Sequence, residues 1–260
     1  MKVVILCGGY GTRIRDVADD IPKPMIPIGD RPILWHIMKY YSTFGFNDFV
    51  LCLGYKSDVV KKYFLDYEVR ADDFQLVLGE QAKVTRNREH DEMGWKITLA
   101  ETGLDSMTGS RVSKIKEYIG EDEDFMLTYG DGVGDVDIAS LVKFHKAHGK
   151  IGTLTGVRPP ARFGELEFDA SKKVTGFNEK SQTSAGRING GFFVLNRKIF
   201  DYLSDDEKLV FEQEPIKQLV ADDQLMVFEH DGFWQCMDTS REYKLLNGLY
   251  NEKKAVWVKW

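Results

Sequence analysis

Short apolar runs alternate with amphipathic stretches through the first half of the chain. Residues 2–6, 48–53, 74–78 and 125–128 have the length and the β-branched or aromatic content of buried strands. Between them, apolar positions recur at helical spacing. Ile33, Leu34, Ile37, Met38 and Tyr41 predict a helix over 32–44, with Pro32 suited to its first turn and Gly45 to its end. Ser57 is placed to cap a helix reaching residue 64, and Val112, Ile115 and Ile119 mark another before Gly120. Asp137 is placed to cap a helix over 138–148 that Gly149 ends. Strand and helix in alternation imply an α/β fold, a doubly wound and mostly parallel sheet with helices on both faces.

The second half has a different rhythm. Strand-like runs at 165–168, 173–177, 191–195 and 225–229 are joined by shorter links, which predicts a partly antiparallel portion. Thr239-Ser240-Arg241-Glu242 spells a capping box that opens a last helix to about residue 251. No linker or internal repeat divides the chain. The expectation is one domain over 1–260, with 1–150 mainly a nucleotide-binding half and 151–260 mainly a sugar-phosphate half.

Composition narrows the functional classes. A hydrophobic fraction of 43% with 29% charged residues is that of an ordinary globular protein. No apolar stretch is long enough for a membrane helix, and the N-terminus lacks the pattern of a signal peptide. Cys7, Cys52 and Cys236 are scattered in apolar runs, which fits neither a disulfide framework nor a zinc cluster and points to a reducing cytoplasm. A net charge of −6 argues against nucleic acid as a partner. It leaves room for a polyphosphate only where positive charge is gathered locally or a cation supplies it.

Such a place follows the first strand. In Leu6-Cys7-Gly8-Gly9-Tyr10-Gly11-Thr12-Arg13, three glycines let the backbone turn N–H groups toward phosphate oxygens, and Arg13 adds a charged fork. A dinucleotide fingerprint set on Gly9 and Gly11 requires glycine or alanine where Ile14 stands, and Leu53-Gly54-Tyr55 has no ribose-binding acid. A Walker loop's Gly-Lys-Ser/Thr is also absent. Farther on, Pro22-Lys23-Pro24 sets a lysine on a stiff, extended backbone, so its ammonium is held in place beforehand. Taken singly, the first segment is also the spelling of an unliganded turn, and the second that of a surface bend.

Two acids complete the candidate chemistry. Asp131, in Tyr129-Gly130-Asp131-Gly132, ends a strand where doubly wound sheets bind ligands, on the edge expected to carry the glycine loop and Glu80. Asp238 stands just before the last helix, where an acid is also favoured by the helix dipole alone. Magnesium takes few protein carboxylates and completes its shell with phosphate oxygens and water, so two aspartates on separate segments suit Mg2+.

Together these segments resemble a known signature. Gly8-Gly9-Tyr10-Gly11-Thr12-Arg13 followed by Pro22-Lys23-Pro24 is similar to the G-G-x-G-T-R…K-P of the sugar-1-phosphate nucleotidyltransferases. The resemblance implies that Leu6, Gly8, Gly9, Gly11, Thr12 and Arg13 wrap a nucleoside triphosphate, with Gly130 beside them. It implies that Arg13 assists the leaving pyrophosphate, that Lys23 binds the phosphates at the reacting centre, and that Asp131 and Asp238 hold magnesium. Asp105-Ser106-Met107-Thr108-Gly109-Ser110-Arg111 is similar to the S-M-T-G-G-R segment of the glucose-1-phosphate cytidylyltransferases. Arg111 is then expected to donate to a cytosine ring edge, Ser106 and Thr108 to contact base or ribose, and Glu80 to accept from the cytosine amino group. The same segment also reads as a plain entry loop to a helix.

Similarity to that subfamily continues through Pro32-Ile33-Leu34-Trp35-His36-Ile37-Met38-Lys39, Phe144-His145-Lys146-Ala147-His148-Gly149 and Asn189-Gly190-Gly191-Phe192-Phe193-Val194. His36, His145 and His148 fall on helical patterns and read as packing. Gly164, Glu179, Lys180, Asn189 and Gly190 match the family's sugar-phosphate motifs, where the acid binds sugar hydroxyls and the lysine the phosphate. Four positions depart from the pattern: Cys7, Ser110, Glu165 and Ser181. The last two border the sugar motifs and bear on the acceptor rather than the base. The expected partners are therefore CTP and a sugar 1-phosphate, with glucose 1-phosphate foremost, in a homo-oligomer. A uridylyl- or thymidylyltransferase, a cytidylyltransferase for another acceptor, and a non-catalytic nucleotide-sugar-binding protein are the alternatives.

Overall fold

A computed structural model of the chain describes residues 1–11, 14, 20–71, 74–76, 84–86, 91–159, 165–168, 170–178 and 186–260. Its centre is a seven-stranded sheet. The strands are β1 (Val3–Leu6), β4 (Asp48–Leu53), β7 (Lys96–Glu101), β8 (Asp124–Tyr129), β10 (Gly152–Val157), β13 (Ile188–Asn196) and β14 (Leu225–His230). They lie in the order β14-β10-β13-β8-β1-β4-β7, and every neighbouring pair is parallel except the two that β13 makes. The sheet takes strands from both halves of the chain.

β1 is central, and its alternation explains its depth. Val3 and Ile5 enter one apolar layer, and Val4 and Leu6 enter the other. Burying each such side chain contributes about 1.5–3 kcal/mol, and a charge at any of the four would have no partner. The first layer is closed by α1 (Ile33–Ser42), α6 (Ile138–His148) and α8 (Ser240–Asn251), through residues such as Leu34, Leu141 and Leu246. The second is closed by α4 (Thr108–Lys114), α5 (Lys116–Ile119) and α7 (Glu214–Ala221), through Val112, Ile119 and Leu219. The expected doubly wound α/β architecture is thus present.

The predicted caps are present as well. The Asp137 carboxylate accepts from the Ser140 N–H at 3.0 Å, Gly149 closes α6 in the left-handed region, and Thr239 with Glu242 forms the capping box of α8. The histidines of the helical patterns pack. His36 is buried, bonds the Ile28 carbonyl at 2.9 Å, and has its pKa pulled down to about 4 by burial. His145 and His148 both meet the Thr153 hydroxyl, at 2.8 and 2.7 Å.

One expectation is corrected. The run from Phe74 is not a strand of the central sheet: β5 (Phe74–Leu76) pairs antiparallel with β6 (Val84–Arg86) in a separate hairpin. The place beside β4 belongs to β7, an edge strand whose Lys96, Thr98 and Glu101 dilute its apolar signal. The sheet-edge argument for Glu80 falls with β5, and Glu80 itself lies outside the described residues. Among the described residues, no helix is long and apolar enough to cross a membrane.

Candidate active site

The chain runs from β1 outward to β4 and β7, then returns to β8 on the other side of β1. The carboxyl ends of β1 and β8 therefore flank a reversal of strand order, where such sheets open a crevice. A cleft of about 530 Å³ lies there, lined by the glycine loop, Lys23, residues 104–108, Arg111, Tyr129, Gly130, Asp131 and Asp238. Of the expected residues, Leu6, Gly8, Gly9, Gly11, Lys23, Ser106, Thr108, Arg111, Gly130, Asp131 and Asp238 meet in this one space.

The two aspartates are brought together by a short ladder. β9 (Gly132–Gly134) pairs antiparallel with β15 (Trp234–Cys236), Gly132 opposite Cys236, and the Met237 N–H donates to the Asp131 carbonyl at 2.8 Å. Asp131 precedes one strand and Asp238 follows the other, so both carboxylates emerge at the same end. Glu242, not Asp238, accepts the N–H groups of Asp238 and Thr239 at the start of α8. Helix capping is thus Glu242's role, and an Asp238 oxygen turns into the cleft instead.

Lys23 lies between them. It opens a short 3₁₀ turn, Lys23–Met25, so its backbone is stiff but turned rather than extended; the residue in the extended region is Pro22. Its Nζ donates to Asp131 Oδ2 at 2.5 Å and to Asp238 Oδ1, with the side chain 12% exposed. Burial alone would lower the ammonium's pKa. The charge of Asp131 and the hydrogen bonds to both carboxylates outweigh it and hold the group above the ordinary lysine value. Gly11, at φ +60°, packs against this lysine: a Cβ there would sit 3.0 Å from the Lys23 Cβ. Glycine at that position thus lets the loop and the lysine close on each other.

Two carboxylates already sharing one cation form a donor set that suits Mg2+, which takes few protein carboxylates. Among the described residues, no cluster of three or more histidine, cysteine or acidic ligands offers a rival metal site.

Arg111 is 5% exposed and projects from the first turns of α4 beneath the glycine loop. Its Nη1 donates to the carbonyls of Leu53 and Gly103 and to the Thr102 hydroxyl, at 2.9, 2.8 and 2.8 Å. Nη2 donates to the carbonyls of Gly8 and Leu104, at 3.0 and 3.3 Å. The guanidinium thereby joins the ends of β1, β4 and β7 to the 104–108 rim. Burial lowers its pKa below the ordinary guanidinium value. A Cβ on Gly8 would stand 2.2 Å from Nη1, so glycine there is a condition of this clamp. Nε is the N–H with no described acceptor, and it is the donor left for the base edge expected from the sequence.

Ser106 and Thr108 also line the cleft, with their hydroxyls engaged. Ser106 Oγ accepts from Lys114 Nζ at 2.8 Å, and Thr108 Oγ1 donates to Glu212 Oε2 at 2.6 Å. Across the mouth, the Tyr10 hydroxyl donates to Asp105 Oδ1 at 2.6 Å, which spans the two rims. Asn189 begins the β13 side, and Gly190 accepts from the Trp234 indole at 2.7 Å. Thr12, Arg13, Glu80, Gly164, Glu179, Lys180 and Ser181 lie outside the described residues. Sequence reasoning missed Tyr10, Asp105, Tyr129 and Glu212. Tyr10, Asp105 and Tyr129 lie inside the segments that carry the resemblance, whereas Glu212 carries no local signal, because its partners are distant in sequence.

Known proteins resemble this chain over most or all of its length. The nucleotidyl transferase family matches residues 2–244. The chain is 47% identical over its 260 residues to the glucose-1-phosphate cytidylyltransferase of Salmonella typhi, covering 100% of each chain. It is 45% identical, over the same full lengths, to the probable glucose-1-phosphate cytidylyltransferase of Bacillus subtilis (strain 168). The crystal structure of HddC from Yersinia pseudotuberculosis superimposes with a TM-score of 0.65 at 23% identity, covering 96% of this chain and 99% of that one, which is a likeness of fold.

Proposed function

The chain belongs to the nucleotidyl transferase family, and from its cleft we infer that it transfers the cytidylyl group of CTP to α-D-glucose 1-phosphate. The products are CDP-glucose and pyrophosphate. The observation that carries this reading is the ammonium of Lys23, held between Asp131 and Asp238 on the floor of a cleft rimmed by a glycine loop. The full-length relatives named for this activity support the choice of base and acceptor.

In the reaction, a phosphate oxygen of glucose 1-phosphate attacks the α-phosphorus of CTP in line. One P–O bond forms as the bond to the departing pyrophosphate breaks. No covalent intermediate on the protein is required, so the protein's contribution is positioning and neutralisation. The glycine loop offers N–H groups to the triphosphate, Lys23 supplies a held positive charge where negative charge accumulates, and Arg13 adds a second cation in the role the resemblance gives it. Asp131 and Asp238 would hold Mg2+, which neutralises phosphate oxygens and polarises the phosphate under attack. Arg111 keeps the loop and the 104–108 rim in register, and the same reading gives its Nε–H to the base edge. Gly164, Glu179, Lys180, Asn189 and Gly190 form the acceptor side of the same reading. All three cysteines are free thiols, which suits a cytoplasmic setting, and a homo-oligomer is part of the proposal.

The test is pyrophosphate release with glucose 1-phosphate from CTP, UTP, dTTP, ATP and GTP in turn. Release is expected from CTP alone, to stop on chelation, and to resume with magnesium. Faster release from UTP or dTTP would transfer the protein to a neighbouring specificity. Release that persists after chelation would remove the metal from the scheme.

A further inference from the structure

Glu212 lies in none of the motifs described above. It sits between buried Phe211 and the start of α7, its backbone fixed by the bonds of Gln213 N–H to the Val210 carbonyl and of Ile216 N–H to the Phe211 carbonyl. Its two carboxylate oxygens serve different segments. Oε2 accepts from the Thr108 hydroxyl at 2.6 Å, and Oε1 accepts from the Tyr129 hydroxyl at 2.5 Å. Each hydroxyl is fixed from its other side as well. Thr108 Oγ1 accepts from the Phe211 N–H at 2.9 Å, and the Tyr129 oxygen accepts from Asn189 Nδ2 at 3.0 Å. Asn189 Oδ1 in turn accepts from the Gly191 N–H at 2.9 Å.

A continuous set of hydrogen bonds thus links the base-side helix α4 to the strand that delivers Asp131 and on to Asn189, its donors converging on the Glu212 carboxylate from both sides. Burial, and then the Glu212 carboxylate, push the Tyr129 phenol above its ordinary pKa, so its proton stays on to be donated. Reversing any link would put two donors or two acceptors face to face, so the carboxylate sets the sense of the whole chain. The preceding backbone makes the same connection, since Gly109 N–H donates to the Leu209 carbonyl and Met107 N–H to that of Glu207.

The geometry points to Glu212 as a positioning residue that holds the nucleotide and sugar-phosphate sides of the cleft in register. It touches neither reacting phosphate and acts through Thr108, Tyr129 and Asn189. This rests on the function proposed above, and the wild-type protein separates the two ideas: if it makes no CDP-glucose, the proposed function fails, whatever the variants do.

The experiment compares wild type, Glu212→Gln, Tyr129→Phe and the double variant. It measures kcat, the KM for glucose 1-phosphate, and the Kd for CTP without acceptor. A small misplacement of reacting groups costs turnover steeply, so Glu212→Gln should lower kcat/KM for glucose 1-phosphate by about tenfold or more. Its Kd for CTP should stay within about twofold, and the double variant should be hardly worse than Glu212→Gln, as expected of residues acting in one network. Should Glu212→Gln unfold early, Tyr129→Phe, which removes the donor to Glu212 Oε1, supplies the same comparison. Loss of CTP affinity in step with kcat, an unchanged kcat/KM, or losses that multiply in the double variant would each overturn the assignment.

Discussion

Lys23→Met lowers turnover by about 10²–10³-fold, the range seen when one preorganised group facing transition-state charge is removed. In free energy this is about 3–4 kcal/mol of lost transition-state stabilisation. Methionine preserves an apolar stem against Gly11 but removes the cation that Asp131 and Asp238 share, so a loss of stability is expected beside the loss of turnover, and thermal unfolding measured with each variant separates the two. With Asp131 and Asp238 free of metal, Lys23 keeps its charge through neutral pH. Its folded pKa is raised above the ordinary value of 10.5, so its contribution to stability is complete below that pH and is lost only as pH climbs through the folded value. Single-turnover kinetics with saturating CTP and glucose 1-phosphate measure the loss. Turnover within about fivefold of wild type, far short of what a charge at the reacting centre contributes, would remove Lys23 from the chemistry.

Arg111→Lys has the second largest expected effect, and it falls on stability and nucleotide binding together. The guanidinium satisfies carbonyls of Leu53, Gly103, Gly8 and Leu104 and the Thr102 hydroxyl. An ammonium has three donors on a single point and cannot span these acceptors. The Leu53 and Gly8 carbonyls keep other donors, but those of Gly103 and Leu104 lose the one described for them; an unpaired buried acceptor costs about 1–3 kcal/mol, and a net loss of about 3 kcal/mol is expected. For a chain of this size that is roughly 6–12 °C in Tm. CTP affinity should drop as well, because the same fork sets the height of the glycine loop. Differential scanning calorimetry with CTP titration reads both. An unchanged Tm with weakened CTP binding would make Arg111 a contact to the base and not the clamp of the loop.

What the sequence made legible follows from where its signals are local. β1 and β4 are apolar on both faces because they lie mid-sheet, and the helices α6 and α8 announce themselves by their caps. Lys23, Asp131 and Asp238 were readable because glycines, prolines and a capping box mark their neighbourhoods. That the Lys23 ammonium lies between the two acids was not readable, since it depends on the β9–β15 register between segments distant in sequence. β7 carries a weak signal because an edge strand alternates weakly, and the more apolar run from Phe74 reads as a sheet strand in its place. Arg111 was readable as a site residue, but its burial under the loop depends on the packing of three strand ends. Glu212 was invisible for the same reason: a carboxylate between two hydroxyls has no spelling in one dimension.

The most direct test of the central claim is to mix the purified protein with CTP, α-D-glucose 1-phosphate and magnesium and to follow both products by phosphorus NMR. The account predicts CDP-glucose and pyrophosphate appearing in equal amounts, with the reverse reaction restoring CTP when pyrophosphate is added. CTP that binds but stays intact with glucose 1-phosphate and every other sugar phosphate offered would contradict it, and would make the cleft a binding site without catalysis.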